Sequence, residues 1–488
     1  MPNKLNHRLS AQDASFLYLE RPHAPLHIGS LGVYQGQIDY DRFTAHIASR
    51  MPNIPRYRQR VVFVPFGLAH PTWEDDPEFD VRRHIKQVTI DPPGTDDQLR
   101  DLSCELFAPQ LDRSKPLWEM YVINGLEGDR SAILSKVHHC MVDGVSGIAL
   151  LLAVVDISPE PAPPPEPDGW QPKPLPDLAT RMGDAFWDGT RQQMEMWRDV
   201  WESVVDPVRR LRETGDAIRA LATATPWLTR PAPRTSFMCE LSKQRHVAFS
   251  EVSFIEIREI RRALGGTVND VVLAILTGAL HKYGAEHGGF GAEPRVMIPV
   301  NVRIEEEEGA LGNRVSAMIT PLPVHESDPA QRMKMIEERI GELKQENQGG
   351  TIERVLRMTS YAPAAVHAAV GMAPVANPMV NLICTNVPGP MIPLYAVGHL
   401  LLAHYPLVPL SLDMGLGVGV TSYNQKLYFG LMADPRAVPD LDVLKRCLDD
   451  SFLELRAAAG VDATDLPPIN VQPSNGAAAQ RVEAQVTG

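Results

Sequence analysis

The chain has 488 residues, 44% hydrophobic and 22% charged, a size and balance that point to a folded protein of two domains rather than a disordered or fibrous one. Its formal charge of -13 lacks the basic footprint needed to bind nucleic acid through phosphates, so no nucleic-acid partner is expected. The five cysteines, Cys104, Cys140, Cys239, Cys384 and Cys447, are scattered and free of CxxC or Cys/His spacing, which argues against a disulfide framework or a metal site and for a reducing, cytoplasmic location.

Met1 to Leu19 has no apolar run ahead of a small-residue cleavage site, so the chain is not expected to be secreted. Residues 1–158 mix strand and helix signals and read as a first domain. Within it, Ala132–Val137 has the pattern of a short strand and Gly147–Val155 that of an apolar helix. His138, His139, Asp143 and Gly144 therefore fall on the connection between a strand and a helix, where reactive side chains commonly sit. From Pro159 to Pro176, PEPAPPPEPDGWQPKPLP is too rich in proline for helix or central strand and predicts an extended, stiff spacer. With the following helix it makes a linker over residues 159–235.

Asp177–Ala222 has helical periodicity. Met194, Trp197, Trp201, Val204, Val208 and Leu211 form one apolar stripe, kinked at Pro207 and interleaved with arginines. Two readings stand: a helix packed on the body of the protein, the common fate of such a stripe, or one lying on lipid with its tryptophans at headgroup level.

Residues 236–465 form a second mixed block. His246–Phe254 alternates as a strand, Phe254–Leu264 and Val268–Tyr283 read as helices, and Arg295–Arg303 and Ser316–Val324 as strands. Asp328–Gln348 reads as a charged helix, and Leu416–Tyr423 with Lys426–Met432 as a terminal hairpin. Asn386–Pro390 has the composition of a turn, and residues 466–488 that of a disordered tail. Strands and helices recur without a regular βαβ period, so α/β or α+β layers are expected. No apolar run reaches the roughly 20 residues needed to cross a bilayer.

A neutral imidazole suits removal of a proton from a hydroxyl near neutral pH, and Asp143, four residues after His139, suits fixing the ring or its loop. There is no GxSxG, and Cys140 is the only nucleophile candidate by position. By spacing alone three other readings remain open: a metal site with too few ligands, structural histidines bonded to carbonyls, and a plain Asp-Gly turn.

HHCMVDG (His138–Gly144) matches the HHxxxDG motif of bacterial wax ester synthases/diacylglycerol acyltransferases, and the rest of the chain resembles the same family. LSAQDASFLYLERPHAPLHIG (Leu9–Gly29) is similar to its opening signature, Pro116-Leu117-Trp118 to its PLW motif, and Thr267-Val268-Asn269-Asp270 to its SxND motif with Thr for Ser. Pro299–Arg303, Leu311–Arg314 and Asn386–Pro390 follow in the family's order. The resemblance spans roughly Leu9 to Ala459.

It implies two chloramphenicol-acetyltransferase-like domains, each a mixed sheet with helices, joined by a long linker, with the active-site tunnel at the domain junction. It implies acyl transfer from acyl-CoA to the hydroxyl of diacylglycerol, making triacylglycerol, or of a long-chain alcohol, making a wax ester. His139 would be the general base. Asp143 would pair with Arg303 and hold the loop, and Asn269 would support the reacting groups with its amide. His138, Gly144 and Asp270 are supporting residues, Asp270 as a helix cap. Pro116, Leu117, Trp118, Asn386, Pro388 and Gly389 would line the tunnel or core. No cofactor or metal is implied, since acyl-CoA enters as substrate. Peripheral contact with the inner membrane or lipid droplets would suit such substrates. A transferase with another hydroxyl acceptor, or a silent lipid-binding relative, is the competing reading.

Overall fold

The chain builds two six-stranded mixed sheets, each covered by helices. The computed structural model describes residues 7–142, 154–161, 168–188, 231–301, 315–345, 363–372 and 379–464, with a few single positions between them. In chain order the elements are α1 (Ala11–Leu19), β1 (His27–Gln35), α2 (Tyr40–Arg50), β2 (Gln59–Val62), β3 (Thr72–Asp75), β4 (Ile85–Thr89), α3 (Asp96–Phe107), β5 (Trp118–Leu126) and β6 (Arg130–His138). After residue 231 come β7 (His246–Ser253), α4 (Phe254–Leu264), α5 (Val268–Glu286), β8 (Arg295–Asn301), β9 (Val315–Pro321), α6 (Pro329–Gln345), α7 (Ala364–Met372), β10 (Leu382–Val387), β11 (Tyr395–Ala396), β12 (His399–Leu407), β13 (Leu416–Tyr423), β14 (Lys426–Ala433) and α8 (Leu441–Ala458).

The first sheet runs β11-β12-β1-β6-β5-β4 and the second β7-β14-β13-β10-β8-β9, with β2 and β3 a separate pair. Each large sheet mixes parallel and antiparallel neighbours: β4 with β5, and β10 with β8 and β13, are parallel. β6 is nearly buried along its length, as a strand covered on both faces must be. In the second domain α5 is buried along almost its whole length, which explains its continuous apolar sequence, and it lies in the core with α6 and α8. A capping box starts it: Asp270 N donates to Thr267 Oγ1 (3.3 Å), and Asp270 Oδ2 accepts from Thr267 N (2.8 Å).

Several boundaries differ from sequence expectation. α5 continues three residues beyond Tyr283, and β9 ends at Pro321 rather than Val324. Asn386 and Val387 belong to β10, because they keep their ladder to Val420 and Thr421; the turn starts only at Pro388. All but Val154 and Val155 of the expected helix at Gly147–Val155, most of the tryptophan-bearing stripe after Met194, and the tail after Pro467 lie outside the described residues. The described part of the proline-rich segment runs along the first domain. Just before it Asp156 bridges to Tyr395, and within it Arg58 bonds Asp168 and stacks over Trp170 at 4.7 Å, while Lys173 N donates to Asp75.

The sequence pattern did not anticipate β12. This strand lies in the C-terminal half of the chain yet pairs with β1 in the first sheet, Gly29 opposite Leu407 and Val33 opposite Ala403. Tyr423 and Tyr428, on β13 and β14, donate to the carbonyls of Leu401 and Leu402 at 2.9 and 3.2 Å, and Tyr405 stacks on Phe249 of β7. β12 is thus the seam between the sheets. Gly430 permits the approach: a Cβ there would stand 1.9 Å from the Pro406 carbonyl oxygen. Among the described residues no single helix is long and apolar enough to cross a membrane.

Gly430→Ala should therefore destabilise the protein by about 1–3 kcal/mol through overpacking at the seam. Gly341→Ala, in α6 with nothing within 4 Å of a new Cβ, should raise stability by about 0.5–1 kcal/mol. Thermal unfolding of both variants checks this, and wild-type melting of Gly430→Ala would show that the seam yields.

Candidate active site

β6 ends at His138, and the chain then turns through a short 3-10 segment, His139–Met141. His138 pairs in register with His27 at the start of β1, which puts both histidines at one end of the first sheet. Main-chain bonds fix the turn. His138 N donates to Leu117 O and His139 N to Leu26 O, each at 2.9 Å.

The two rings face different surroundings. The His139 ring lies flat against Phe16 of α1, centroids 4.0 Å apart and planes 13° apart. Its Nδ1 is buried with no hydrogen-bond partner among the described residues. Burial lowers the His139 pKa to about 4; its own carbonyl opposes this weakly and His138 adds to it. The imidazole is therefore neutral at physiological pH, the protonation state a base requires.

The His138 ring, 1% exposed, has an anionic partner: its Nε2 is 3.4 Å from Glu20 Oε1. Its Nδ1 accepts from Cys140 N at 3.2 Å, which assigns the ring proton of the neutral form to Nε2, on the side of the carboxylate. Glu20 is itself 1% exposed at its side chain. It accepts from Leu26 N at 3.0 Å through Oε1 and from the Arg113 guanidinium at 2.8 Å through Oε2. Burial alone would raise its pKa, but His138, Arg113 and the Leu26 amide together draw it down to about 2, so Glu20 is ionised.

Cys140 is buried, and that burial, with Asp13 and Glu20 nearby, holds its thiol well above the usual range. A protonated, enclosed thiol is no nucleophile, which removes the covalent alternative at this position.

Leu117 and Trp118 are core residues. Trp118 stacks on His84 at 4.5 Å and its indole N–H donates to Tyr57 O at 2.9 Å, while the Leu117 carbonyl receives the His138 amide. Pro116 is buried with them. Asn269 is half-buried in the first turn of α5, and no hydrogen bond joins it to either histidine among the described residues. Asp270 serves the capping box at Thr267 rather than a cap at Val271, because α5 already begins at Val268. Pro388 is exposed, and Gly389 N donates to Ser422 Oγ at 3.0 Å beside the end of β13. Asp143, Gly144 and Arg303 lie outside the described residues. Among those described, no cluster of three or more His, Cys, Asp or Glu is placed to hold a metal.

Sequence reading attached no role to Phe16, Glu20 or Arg113. The signal available was the opening signature: Phe16 and Glu20 stand four apart, one helical turn, and so share a face. The other side of α1 meets α7 from the second half of the chain, where Gly371 packs on Tyr18 and its carbonyl accepts from Arg21. Tyr18 Oη in turn lies 3.1 Å from His70 Nδ1. Beside this contact large apolar side chains face outward: Phe63, Phe66 (85% exposed) and Leu68; Phe186 and Trp187 (68%) of the helical run 178–188; and Val366 and Val370 of α7. Arg181 donates to Phe63 O at 3.5 Å, and Arg8 bonds both Asp188 and His70 O at 2.5 Å, so the three segments adjoin. A separate cleft of about 750 Å³ between the domains, lined by Arg130, Phe249 and Arg446 among others, lies at the opposite end of β6.

The model of the wax ester synthase/diacylglycerol acyltransferase catalytic domain matches residues 9–272, and that of the family's C-terminal domain residues 311–456. A probable diacylglycerol O-acyltransferase of Mycobacterium tuberculosis is 31% identical over 93% of this chain and 96% of its own length. A putative diacylglycerol O-acyltransferase of the same species is 31% identical over 89% of this chain and 87% of its own. Among solved structures, the wax ester synthase/diacylglycerol acyltransferase from Marinobacter aquaeolei VT8 aligns with a TM-score of 0.64 at 24% identity, covering 93% of this chain and all of that one. The first condensation domain of the calcium-dependent antibiotic synthetase aligns at 0.59 and 14%, covering 95% of this chain and 98% of that one. These likenesses fit the two mixed-sheet domains seen here.

The lowered His139 pKa sets a stability window. Between pH 6.5 and about 4 the unfolded chain binds a proton at this site that the folded protein refuses, so stability falls as pH drops through that range. In His139→Gln, urea unfolding at pH 4.5, 5.5 and 6.5 should show a shallower fall than wild type. Parallel slopes would mean that His139 is not desolvated.

Proposed function

We propose that this chain, which belongs to the wax ester synthase/diacylglycerol acyltransferase family, transfers a long-chain acyl group from acyl-CoA to diacylglycerol or a long-chain alcohol with His139 as general base. The observation that carries the assignment is a neutral imidazole held by a main-chain bond and a flat aromatic stack, beside a cysteine shut off from chemistry. With Nδ1 buried, Nε2 is the nitrogen assigned to substrate. It takes the proton of the acceptor hydroxyl as the oxygen attacks the thioester carbon. When the C–S bond breaks, the imidazolium returns that proton to the leaving thiolate, giving ester and free CoA. No cofactor enters this sequence. The Asn269 side-chain amide, near the start of α5, is assigned to the developing oxyanion, where one donor is worth about 3 kcal/mol. Asp143 and Arg303 are assigned to hold the loop after the histidines.

Both acceptors are lipids and reach the enzyme from a membrane or droplet surface. The outward-facing Phe63, Phe66, Leu68, Phe186, Trp187, Val366 and Val370, adjoining α1, support peripheral contact there. The cytoplasmic side is assigned to this contact because the scattered cysteines, free where described, suit a reducing compartment.

With palmitoyl-CoA and either dioleoylglycerol or hexadecanol, wild type should release CoA and His139→Ala should do so at least about 100-fold more slowly. Equal release by both proteins with each acceptor would refute the base assignment. Replacing Phe66 and Trp187 together by Ser should reduce sedimentation with phosphatidylglycerol vesicles severalfold, and unchanged sedimentation would place the lipid contact elsewhere.

A further inference from the structure

From the contacts of α1 we infer that Glu20 is a positioning residue for the reaction: its buried carboxylate sets the ring of His138 and, with Phe16 on the same helical face, holds His139 in place. This rests on the reading of His139 as the base and adds to it the device that orients that base.

Three connections run from one helix end to the histidine turn. Glu20 Oε1 lies 3.4 Å from His138 Nε2, close enough for its charge to act although outside hydrogen-bond geometry, and the opposite nitrogen of that ring accepts the Cys140 amide, so the carboxylate favours the tautomer that the turn needs. Were the proton on Nδ1, the Cys140 amide would lose its acceptor and the carboxylate would face a bare ring nitrogen. Glu20 Oε1 also accepts from Leu26 N, while the carbonyl of Leu26 accepts from His139 N; the residue gripped by Glu20 thus grips the His139 main chain. The third connection is the stack of Phe16 on the His139 ring. Glu20 N donates to Phe16 O at 3.1 Å, so the two side chains are held one turn apart by the helix itself.

Arg113 completes the arrangement. Its guanidinium bonds Glu20 Oε2 and the Leu17 carbonyl, both at 2.8 Å, neutralising the carboxylate and tying it to the end of α1. A buried carboxylate with a cation on one oxygen and a histidine edge and an amide on the other has no rotational freedom left to give. His138 therefore passes on the orientation that Glu20 sets, and does no chemistry itself.

The test uses the full chain with palmitoyl-CoA and dioleoylglycerol. Glu20→Gln keeps the shape and an acceptor for Leu26 N but loses the charge. It should lower kcat 10- to 100-fold and leave the KM for palmitoyl-CoA within twofold, the split expected when a base is misaligned and no substrate contact is removed. Glu20→Asp, too short to reach His138, should not rescue. If Glu20 acts through His138, its loss adds nothing in a His138→Gln background, so the double variant should match the slower single one. A kcat for Glu20→Gln within twofold of wild type, or losses that multiply in the double variant, would overturn the inference. Should Glu20→Gln fail to fold, imidazole ¹⁵N spectra of wild type, with His138 assigned from His138→Gln, decide the matter. A proton on Nε2 at pH 7 supports the inference and a proton on Nδ1 sinks it. Wild-type turnover by His139→Ala would refute the base reading instead, leaving the tautomer result to judge Glu20 alone.

Discussion

A carboxylate almost sealed from water costs several kcal/mol unless its surroundings replace the water it has lost. Glu20 is such a carboxylate, and the replacement comes from three separate stretches of chain. Arg113 lies in the connection between α3 and β5, Leu26 at the entry to β1, and His138 at the end of β6. Each supplies one group, and each is thereby fixed relative to the others. α1 is also held by apolar packing, with Ala14 and Leu17 buried among Leu9, Val61, Trp73, Leu111 and Leu117, so the groups at its C-terminal end add to a position that burial already fixes.

The paired histidines are thus unequal. His138 keeps both ring nitrogens inside the protein, Nδ1 bonded to the Cys140 amide and Nε2 3.4 Å from the Glu20 carboxylate. His139 has an aromatic face against it and, among the described residues, no carboxylate beside it, and burial outweighs what favours its protonated form, so its pKa falls. The same burial that keeps His139 unprotonated keeps the Cys140 thiol protonated, because desolvation favours the neutral form of either group. One environment therefore prepares the histidine for proton transfer and disables the cysteine beside it.

α1 also connects the site to the second domain, through α7 on its other side, just as β12 connects the two sheets. Elements of the C-terminal half meet the first domain at the seam, where Gly430 admits Pro406, and at the helix that carries Phe16 and Glu20, among further contacts such as Arg245 with His23 O and Asp442 with Arg100.

Much of this was legible from sequence because it depends on neighbours in the chain. The alternation in His246–Phe254, the apolar continuity of Val268–Tyr283 and the hairpin Leu416–Tyr423 with Lys426–Met432 are period and propensity effects, and each became an element of the expected kind with ends shifted by up to three residues. The capping group at Thr267 and Asp270 is local as well, spanning three residues. The motifs carried the family and pointed to His139. The resemblance already set His139 apart as base from His138 as support, but sequence could not show how their surroundings differ, since that depends on distant residues, Glu20 and Phe16, which no periodicity links to the turn. Nor could it assign β12 to the first sheet, because strand pairing is decided by which buried face is left uncovered and not by the strand's own pattern. The chain alone determined which residues could do the chemistry. The tertiary fold decided which of them is free to do it, because only packing sets how much water and charge each one keeps.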